Sequence, residues 1–430
     1  MDAAALERRV VSKVSWRLLP FLFLLYVIAY IDRINVGVAK TAMSRDLGLD
    51  PELFGAGAGI FFIGYFLFEV PSNLILTRVE ARVWIARIMV FWGIITVCTM
   101  FVRGLTSFYV LRFILGAAEA GFFPGILFYL TRWFRARDRA RAISLFMSAG
   151  TLAGLIGNPL SGALLHLDGI GGLKGWHWLF LLEGIPAILL GISVLFLLTE
   201  SPEKARWLTP EESDWLRGEL AREQAGKGER HASSMLAGLA HPTVWHLTAV
   251  YFLLVTGAYG FEFWLPTIMK GMNKSSDFHA ALLSAVPYLV ATFVMVVVGH
   301  HSDRTGERRW HVAGSMFAAV VGFFVAAKIQ NPVVGLVALS FAWSGLKAAQ
   351  GPFWAIPPAF LSGTAAAGGI ALINSVANLG GYFGPWLAGR LEKMTQSYTA
   401  GLMMSAGCLF CSGLLALTLR PPTSATGKGG

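Results

Sequence analysis

Long apolar segments recur along the chain, with short polar segments between them. A bilayer core requires about 20 mostly apolar residues per helix. Twelve segments of this kind are nearly free of Asp, Glu, Lys and Arg. They lie at 18–38, 53–76, 83–102, 107–130, 141–166, 177–199, 243–268, 278–301, 311–328, 332–358, 365–389 and 396–419. The pattern predicts an all-α polytopic membrane protein with twelve transmembrane helices, in which the turn Ser362-Gly363-Thr364 separates the tenth from the eleventh.

The longest polar segment divides the twelve spans into two sets of six. It runs from Glu200 to about Pro242 and contains charges of both signs. Within it, Thr209-x-x-Glu212 has the spacing of a capping box, which predicts a short surface helix over 210–224. We expect a first six-helix bundle (1–199), a cytoplasmic linker (200–242) and a second six-helix bundle (243–430).

Composition supports the membrane class. The chain is 55% hydrophobic and 14% charged, whereas soluble domains carry about 25% charged residues. This deficit excludes an ordinary soluble protein, and the high hydrophobicity excludes a disordered chain. The three cysteines (Cys98, Cys408 and Cys411) lie inside apolar runs, so we expect neither a disulfide framework nor a metal site.

The net charge of +10 mainly reflects topology. If the N-terminus is cytoplasmic, 23 of the 35 Lys and Arg residues fall in cytoplasmic segments and nine on the opposite side. Cytoplasmic loops carry such an excess, so both termini are expected to be cytoplasmic, in the inner (plasma) membrane. The lipid bilayer is the expected partner of the apolar surface, and nucleic acid is not an expected partner.

An arginine-rich turn follows the eighth span, and a weaker copy follows the second. The first reads Gly299-x-x-x-Asp303-Arg304-x-Gly306-x-Arg308-Arg309. The second, Thr77-Arg78-Val79-Glu80-Ala81-Arg82, keeps the arginine spacing without the Asp and Gly. Topology alone can cluster arginines at a cytoplasmic end, but the match at two equivalent positions favours a gate formed by Asp303, Arg304 and Arg308.

Further motifs are spread over essentially the whole chain. They are Tyr30-Ile-Asp32-Arg33-Ile-Asn35, Phe68-Glu69-Val70-Pro71-Ser72-Asn73, Arg112-Phe-x-Leu-Gly116-x-x-Glu119-Ala-Gly121-Phe-Phe-Pro124-Gly125, Phe263-Trp264-Leu265-Pro266, Phe353-Trp354 and Gly369-Ile-Ala-Leu-Ile-Asn374-Ser375-x-x-Asn378-Leu-Gly380-Gly381. Together with the spans, the linker and the arginine-rich turn, they resemble the major facilitator superfamily. Within it, they resemble the anion:cation symporter family, which includes bacterial tartrate, phthalate and sugar-acid permeases. The resemblance implies the major facilitator fold, with two six-helix bundles around a central cavity.

Several ionisable residues lie inside the predicted spans. The eight are Asp32, Arg33, Glu69, Arg112, Glu119, Glu183, Glu262 and Lys347. A charge that faces lipid costs roughly 2.5–3.5 kcal/mol, so eight of them would exceed the net stability of a typical fold. They must face a partner or a watery cavity. Six lie on spans 1, 4, 7 and 10, which line the cavity in the superfamily that the chain resembles.

Arg33 and Arg112 are the predicted substrate anchors, because a guanidinium group binds a carboxylate through two parallel hydrogen bonds. Alternatively, they form structural ion pairs with Asp32 and Glu119, and the two roles can alternate. Burial disfavours a charged carboxyl and a nearby arginine favours it. Glu119 and Asp32 are therefore candidates for proton exchange, a role that the resemblance also implies. The other interpretation is that both acids only neutralise the arginines.

The second half contains a similar combination, Glu262 and Lys347. They are expected to form a salt bridge across the cavity. Glu262 is also a candidate for proton coupling, although the family resembled does not demand an acid there, and Lys347 is a candidate for binding a second substrate carboxylate. Glu69 and Glu183, near span ends or beside Pro and Gly, are interpreted as packing or helix-end groups.

Uncharged polar and aromatic residues complete the predicted pocket. At positions where the family binds substrate, the chain has Tyr30, Tyr65, Trp354, Asn374, Ser375 and Asn378. Tyr and Trp combine an apolar ring with a hydrogen-bonding tip, and Asn and Ser can bind the hydroxyls of a sugar acid. A single aromatic residue usually serves packing, so only the set has weight.

These features predict a transporter rather than an enzyme. The sequence has no P-loop and no GxSxG motif, and no cofactor is expected. The predicted function is a monomeric, proton-coupled symporter that imports a small organic anion by alternating access. Tartrate, a sugar acid and an aromatic carboxylate are the candidate substrates. Two alternatives stay open: an anion uniporter or exchanger without proton coupling, and a transporter-like membrane sensor.

Overall fold

The computed structural model describes residues 3–76, 78–228, 241–329, 331–357 and 363–419, and this part of the chain is mainly helical. Sixteen α-helices have their bounds within these residues. They are α1 (Ala3–Leu47), α2 (Pro51–Leu76), α3 (Ala81–Cys98), α4 (Leu105–Glu119), α5 (Phe122–Thr131), α6 (Ala136–Leu164), α7 (Gly175–Leu197), α8 (Pro210–Gly228), α9 (Pro242–Glu262), α10 (Leu265–Asn273), α11 (Asp277–Thr305), α12 (Arg309–Lys328), α13 (Pro332–Trp354), α14 (Gly363–Asn378), α15 (Gly380–Thr395) and α16 (Thr399–Thr418).

Eleven helical segments in the described ranges are long and apolar enough to cross a membrane. The twelfth predicted span, 365–389, corresponds to α14 followed directly by α15, each shorter than a full crossing. Large apolar side chains such as Phe196, Phe293 and Val297 are exposed, as residues that face lipid are. The predicted all-α architecture with twelve spans is confirmed.

Three spans predicted as single helices are interrupted. The fourth breaks between α4 and α5, where Gly121 adopts a φ of 91° that favours glycine. The seventh breaks between α9 and α10, just before Pro266, which cannot donate the next helical hydrogen bond. The eleventh is divided more mildly at Leu379, which keeps helical backbone angles while the hydrogen bonds around it tighten to a spacing of three residues. Such breaks are where membrane transporters commonly place their binding sites.

Close helix packing builds two bundles. In the first, α3 packs on α7, α2 on α4 and α1 on α6, and in the second, α12 packs on α13 and α16. Gly116 of α4 lies against the backbone of Phe61 in α2, and Gly184 of α7 lies against Gly93 of α3. Small residues allow membrane helices this close approach.

The two bundles meet mainly through α2 with α15 and through α6 with α11. We call the side that carries the start of α1 and the helix α8 the linker side, and the opposite side the far side. On the far side, Gly389 lies against the backbone of Pro51, and Lys40 Nζ lies 2.8 Å from Glu392 Oε2. The far side is closed in this state.

The linker helix α8 is held against the first bundle. The predicted capping box is confirmed, since Thr209 N donates to Glu212 Oε2 at 2.9 Å and Glu212 N donates to Thr209 Oγ1 at 3.2 Å. Lys13 Nζ of α1 also donates to Glu212 Oε2, at 2.8 Å. The helix is somewhat longer than the predicted 210–224.

Candidate functional site

An ion pair between α1 and α4 forms the centre of the candidate site. Arg33 Nη2 contacts Glu119 Oε1. Glu119 is the last residue of α4, so the break places its carboxyl at a helix end. The Arg33 guanidinium also lies over Phe61 and Tyr65, 5.4 and 5.7 Å from the ring centroids. The Arg33 side chain is 15% exposed and that of Glu119 only 3%, so the arginine is the more accessible partner.

Arg112 differs from Arg33 in its surroundings. Its side chain is buried, and its Nη2 donates to the backbone oxygen of Ala58 at 3.0 Å. The negative charges of Asp32 and Glu119 both favour the charged form of Arg112. In this state Arg112 therefore counters buried acids, and its contact with substrate stays a prediction.

Asp32 belongs to a polar network inside the first bundle. It accepts hydrogen bonds from Thr96 Oγ1 at 2.8 Å and from Asn35 Nδ2 at 3.2 Å. Asn35 also lies beside Glu183 of α7, which accepts a bond from Ser161 Oγ at 2.6 Å. Glu183 is buried in the interior of α7, so the interpretation as a helix-end group does not hold for this residue.

Glu262 and Lys347 are joined through Tyr30. The hydroxyls of Tyr30 and Tyr288 donate to Glu262 Oε1 at 2.9 and 2.8 Å. Lys347 Nζ donates to the Tyr30 hydroxyl at 3.3 Å and lies 4.4 Å from the centroid of the Trp343 ring. The expected direct salt bridge is therefore replaced by a tyrosine bridge, because Tyr30 reaches across from the first bundle.

A second polar contact between the bundles involves Glu69 of α2. Its carboxyl accepts hydrogen bonds from Ser375 Oγ at 2.6 Å and from Asn374 Nδ2 at 3.2 Å, both on α14. Glu69 is buried, and it joins the two bundles rather than only filling space or ending a helix. In this state the two predicted substrate contacts on α14 are thus engaged by a protein carboxyl.

The remaining predicted pocket residues lie in different surroundings. Tyr65 is buried and adjoins Arg33. Trp354, at the end of α13, donates from Nε1 to the Tyr251 hydroxyl at 3.3 Å. Asn378 is half-buried and is the last residue of α14, next to the break.

The predicted gate turn joins α11 to α12 on the linker side. Arg308 Nη1 lies 2.6 Å from Asp303 Oδ1 and 3.0 Å from Ser302 Oγ. Gly306 ends α11 with a φ of 69°, and Arg304 is exposed. These contacts lie within the second bundle, and the gate role stays a prediction.

Sequence reasoning missed the acid that organises the equivalent turn of the first bundle. Glu200 accepts hydrogen bonds from the backbone nitrogens of Ala81 and Arg82, each at 3.0 Å, and pairs with Arg132. A carboxylate is stabilised at a helix N-terminus by the unpaired N–H groups there. Glu200 follows the sixth span in the chain and meets α3 only in the fold, so its spacing carries no signal of this contact.

The chemistry of the site is that of ion binding. Arg33 and Lys347 are the basic side chains of the site, and the carboxyls of Glu119 and Glu262 lie near them. Guanidinium and ammonium groups bind carboxylates, and carboxyl groups bind protons. Among the residues that the structure describes, no group of three or more His, Cys, Asp or Glu side chains could hold a metal ion.

Known proteins resemble this chain over nearly its whole length. The family model of the Major Facilitator Superfamily matches residues 22–385. The "Putative tartrate transporter" of Agrobacterium vitis is 50% identical over 414 residues, which cover 96% of this chain and 92% of that protein. The "Inner membrane transport protein RhmT" of Escherichia coli (strain K12) is 37% identical over 97% of each chain. The crystal structure of a D-xylose–proton symporter matches with a TM-score of 0.76 at 16% identity, covering 95% of this chain and 98% of that one.

Proposed function

Because this chain belongs to the major facilitator superfamily, we propose that it imports a small organic anion together with protons. It is a membrane transporter of small organic substrates and not an enzyme. Three points go beyond this: the substrate is an anion, protons are the coupling ion, and transport is inward. The proposal rests on the charged groups at the broken helices of the two bundles.

The ion pair between Arg33 and Glu119 is the observation that carries the proposal. A substrate carboxylate needs the same guanidinium that Glu119 occupies. When Glu119 binds a proton, it loses the charge that holds Arg33, and the guanidinium becomes available to the anion. Proton and substrate then promote each other's binding, as symport requires.

The second bundle favours an anion with a second polar or charged end. Lys347 supplies another cation beside Tyr30. Asn374 and Ser375 can bind hydroxyl groups when they leave Glu69. A hydroxylated dicarboxylate or a sugar acid offers both kinds of group, and the tartrate named for one relative supports this class.

Rocking of the two bundles would expose this site to each side in turn. The state described here has a closed far side, with Lys40 paired to Glu392. The excess of Lys and Arg on the linker side favours a cytoplasmic location for that side and both termini, in the plasma membrane. We propose that Asp303, Arg304 and Arg308 take part in closing the linker side in the opposite state. A monomer is sufficient, because the proposed site is formed within one chain.

Uptake by the purified protein in liposomes tests the proposal. A thermal-shift screen of carboxylates first identifies a ligand, since specific binding stabilises the folded state. Uptake of that anion should then be faster with an inward proton gradient than without one. Liposomes without protein, and gradients of sodium or chloride in place of protons, are the controls.

Uptake that ignores the proton gradient would contradict the coupling and favour a uniporter or an exchanger. Substrate binding without any net movement across the membrane would instead favour a sensor. Stabilisation by neutral sugars with no response to carboxylates would contradict the anion selectivity.

A further inference from the structure

Asp32 and Glu183 are two buried carboxyls on neighbouring helices, and Asn35 interacts with both. All three side chains are at most 5% exposed. Asn35 Nδ2 donates to Asp32 Oδ1 at 3.2 Å, and the same side chain acts on Glu183. Uncharged donors complete the cluster: Thr96 from α3 bonds to Asp32, and Ser161 from α6 bonds to Glu183. The proposed binding mechanism leaves Glu183 without a role.

The cluster contains two acceptor oxygens that lack a donor. Among the described residues, neither Glu183 Oε2 nor Asn35 Oδ1 has a hydrogen-bond partner of ordinary geometry. Buried acceptors in this situation are unfavourable, since they have lost water without gaining a partner. A proton on Glu183 reduces this cost, because it removes the buried negative charge and makes the carboxyl a donor as well as an acceptor.

The surrounding charges also disfavour a second anion. Asp32 lies close enough for its negative charge to disfavour a second negative charge on Glu183. The positive charge of Arg112 favours the carboxylate form of Asp32, and it also favours that of Glu119. Arg33 is engaged by Glu119. Among the described residues, the nearby arginines are thus engaged by other acids, and none forms an ion pair with Glu183.

We infer that Glu183 binds a proton in the transport cycle and exchanges it with Asp32 beside the Asn35 side chain that both acids share, an inference that rests on the proposed proton coupling. In the state described here, the proton is on Glu183 Oε2 and Asp32 is the carboxylate. In the alternative state, the O–H bond on Glu183 is broken and an O–H bond forms on Asp32. Asn35 Nδ2, which donates to Asp32 in the present state, then donates to the Glu183 carboxylate instead.

Glu183→Gln separates this role from packing. The Gln amide keeps the hydrogen bond that Ser161 donates and is neutral like the protonated acid, but it cannot release a proton. Substrate-for-substrate counterflow, which needs no net proton movement, should be retained. Net uptake driven by a proton gradient should fall about tenfold or more, within the usual range of coupling between two sites.

Ser161→Ala is the matched control, because it removes a hydrogen bond to Glu183 and leaves the acid in place. This variant should lose thermal stability and keep the response to the gradient. Infrared difference spectra give a second measurement, since the carbonyl band of a protonated carboxyl should be present in the wild type and absent in Glu183→Gln. Asn35→Ala serves if Glu183→Gln does not fold, because it removes the side chain that lies beside both acids and should weaken the gradient response.

A Glu183→Gln protein that responds to the gradient like the wild type would overturn the inference and leave the proposed function intact. So would an Asn35→Ala protein with an unchanged response. Wild-type uptake that ignores the gradient would overturn the proposed function itself, and with it the transport role of Glu183.

Discussion

Arg33 is partly exposed while it already holds a carboxyl, that of Glu119. Arg33→Ala should weaken binding of the transported anion by about 2–5 kcal/mol, the usual effect of removing one member of a buried charge pair. Arg33→Lys should recover only part of this loss, because an ammonium group cannot form two parallel hydrogen bonds to a carboxylate. Thermal-shift titration with the anion measures both variants.

Arg87→Ala is the matched control for Arg33, since Arg87 is exposed on α3 and its guanidinium lies over the Trp84 ring at 4.1 Å. Its removal should leave the affinity for the anion unchanged. Equal losses in the two variants would indicate a general effect of positive charge. Full affinity in Arg33→Ala would exclude the anchor role.

Glu119→Gln should raise the affinity for the anion near neutral pH, because the neutral amide competes weakly for Arg33. In the wild type, affinity should increase as pH falls, since protonation of Glu119 releases the guanidinium. The variant should lose most of this dependence. Binding titrations at neutral and mildly acidic pH measure the effect, and a pH dependence equal to that of the wild type would assign the linked proton to another group.

The charged residues of the site could be predicted from the sequence, but their partners could not. Asp32 and Arg33 are adjacent in the chain, yet successive helix residues point about 100° apart. Asp32 therefore bonds to Thr96 inside the bundle, while Arg33 meets Glu119. Which of the two faces the cavity depends on the packing of α3 and α4 against α1, which a single sequence does not specify.

At the scale of elements, the broken helices place site residues at helix ends. Glu119 is the last residue of α4, and Glu262 is the last residue of α9. A negative charge at a helix C-terminus is opposed by the helix dipole, so an acid there needs a cation or a strong donor. Arg33 supplies the cation to one, and tyrosine hydroxyls supply donors to the other. Loss of these partners would therefore leave each carboxylate exposed to an unfavourable helix dipole.

The number of spans was predictable and the breaks were not. Runs of about 20 apolar residues identify spans well, because the bilayer sets the length. Gly and Pro are frequent in membrane helices that remain continuous, as Pro71 and Pro186 show here. Gly121 and Pro266 therefore carried too little signal to predict an interruption.

Glu212, at the start of the linker helix α8, should make the docking of that helix depend on pH. Burial raises the pKa of Glu212, but Lys13, the Thr209 N–H and Arg9 lower it, with the net result below the usual 4.5. A carboxyl with a lowered pKa stabilises the folded state above its unfolded value, and this contribution is lost as pH falls through the folded pKa. Docking should therefore weaken below about pH 4.5.

Hydrogen exchange of the α8 amides, corrected for intrinsic rates, measures this effect. Glu212→Gln should raise exchange near neutral pH by about fivefold, equivalent to about 1 kcal/mol for a lost cap. The difference from the wild type should disappear at acidic pH. Asp214→Asn is the control, because its side chain is 76% exposed. A difference that persists at low pH would mean that charge is not the cause.

At the scale of the whole molecule, Lys40 and Glu392 tie the bundles together on the far side. Lys40 Nζ lies 4.2 Å from the centroid of the Trp264 ring, and Trp264 Nε1 donates to Glu392. Lys40 is buried and Glu392 is partly exposed, so removal of one partner should cost less than the roughly 3–5 kcal/mol of a fully buried pair. Glu392→Gln should therefore shift the population towards a state with the far side open.

Distances between spin labels at Arg103 and Met394, which are both exposed on the far side of different bundles, measure this shift. The distribution should move to longer distances in Glu392→Gln. The double variant Lys40→Glu with Glu392→Lys should restore the shorter distances, because it re-forms the pair. An unchanged distribution in Glu392→Gln would show that the pair does not hold the far side closed.

The contacts between bundles could not be predicted from the sequence. Lys40 and Glu392 are 352 residues apart in the chain, and each lies near a span end where a charge needs no partner. Glu69 likewise meets Asn374 and Ser375 only after both bundles have formed. These contacts depend on the relative placement of two units, whereas the spans depend only on local hydrophobicity.

The close contacts between glycine and backbone on the far side affect the free energy of exposing that surface to water. Gly55 lies against the backbone oxygen of Pro385, and Gly389 lies against that of Pro51. When these surfaces separate, water meets peptide groups, which it hydrates readily, instead of large apolar side chains. Hydration of the newly exposed carbonyls offsets part of the lost van der Waals contact. Closure of this kind therefore costs less free energy to undo than closure by interlocking apolar side chains would, which suits a transporter that must open on this side.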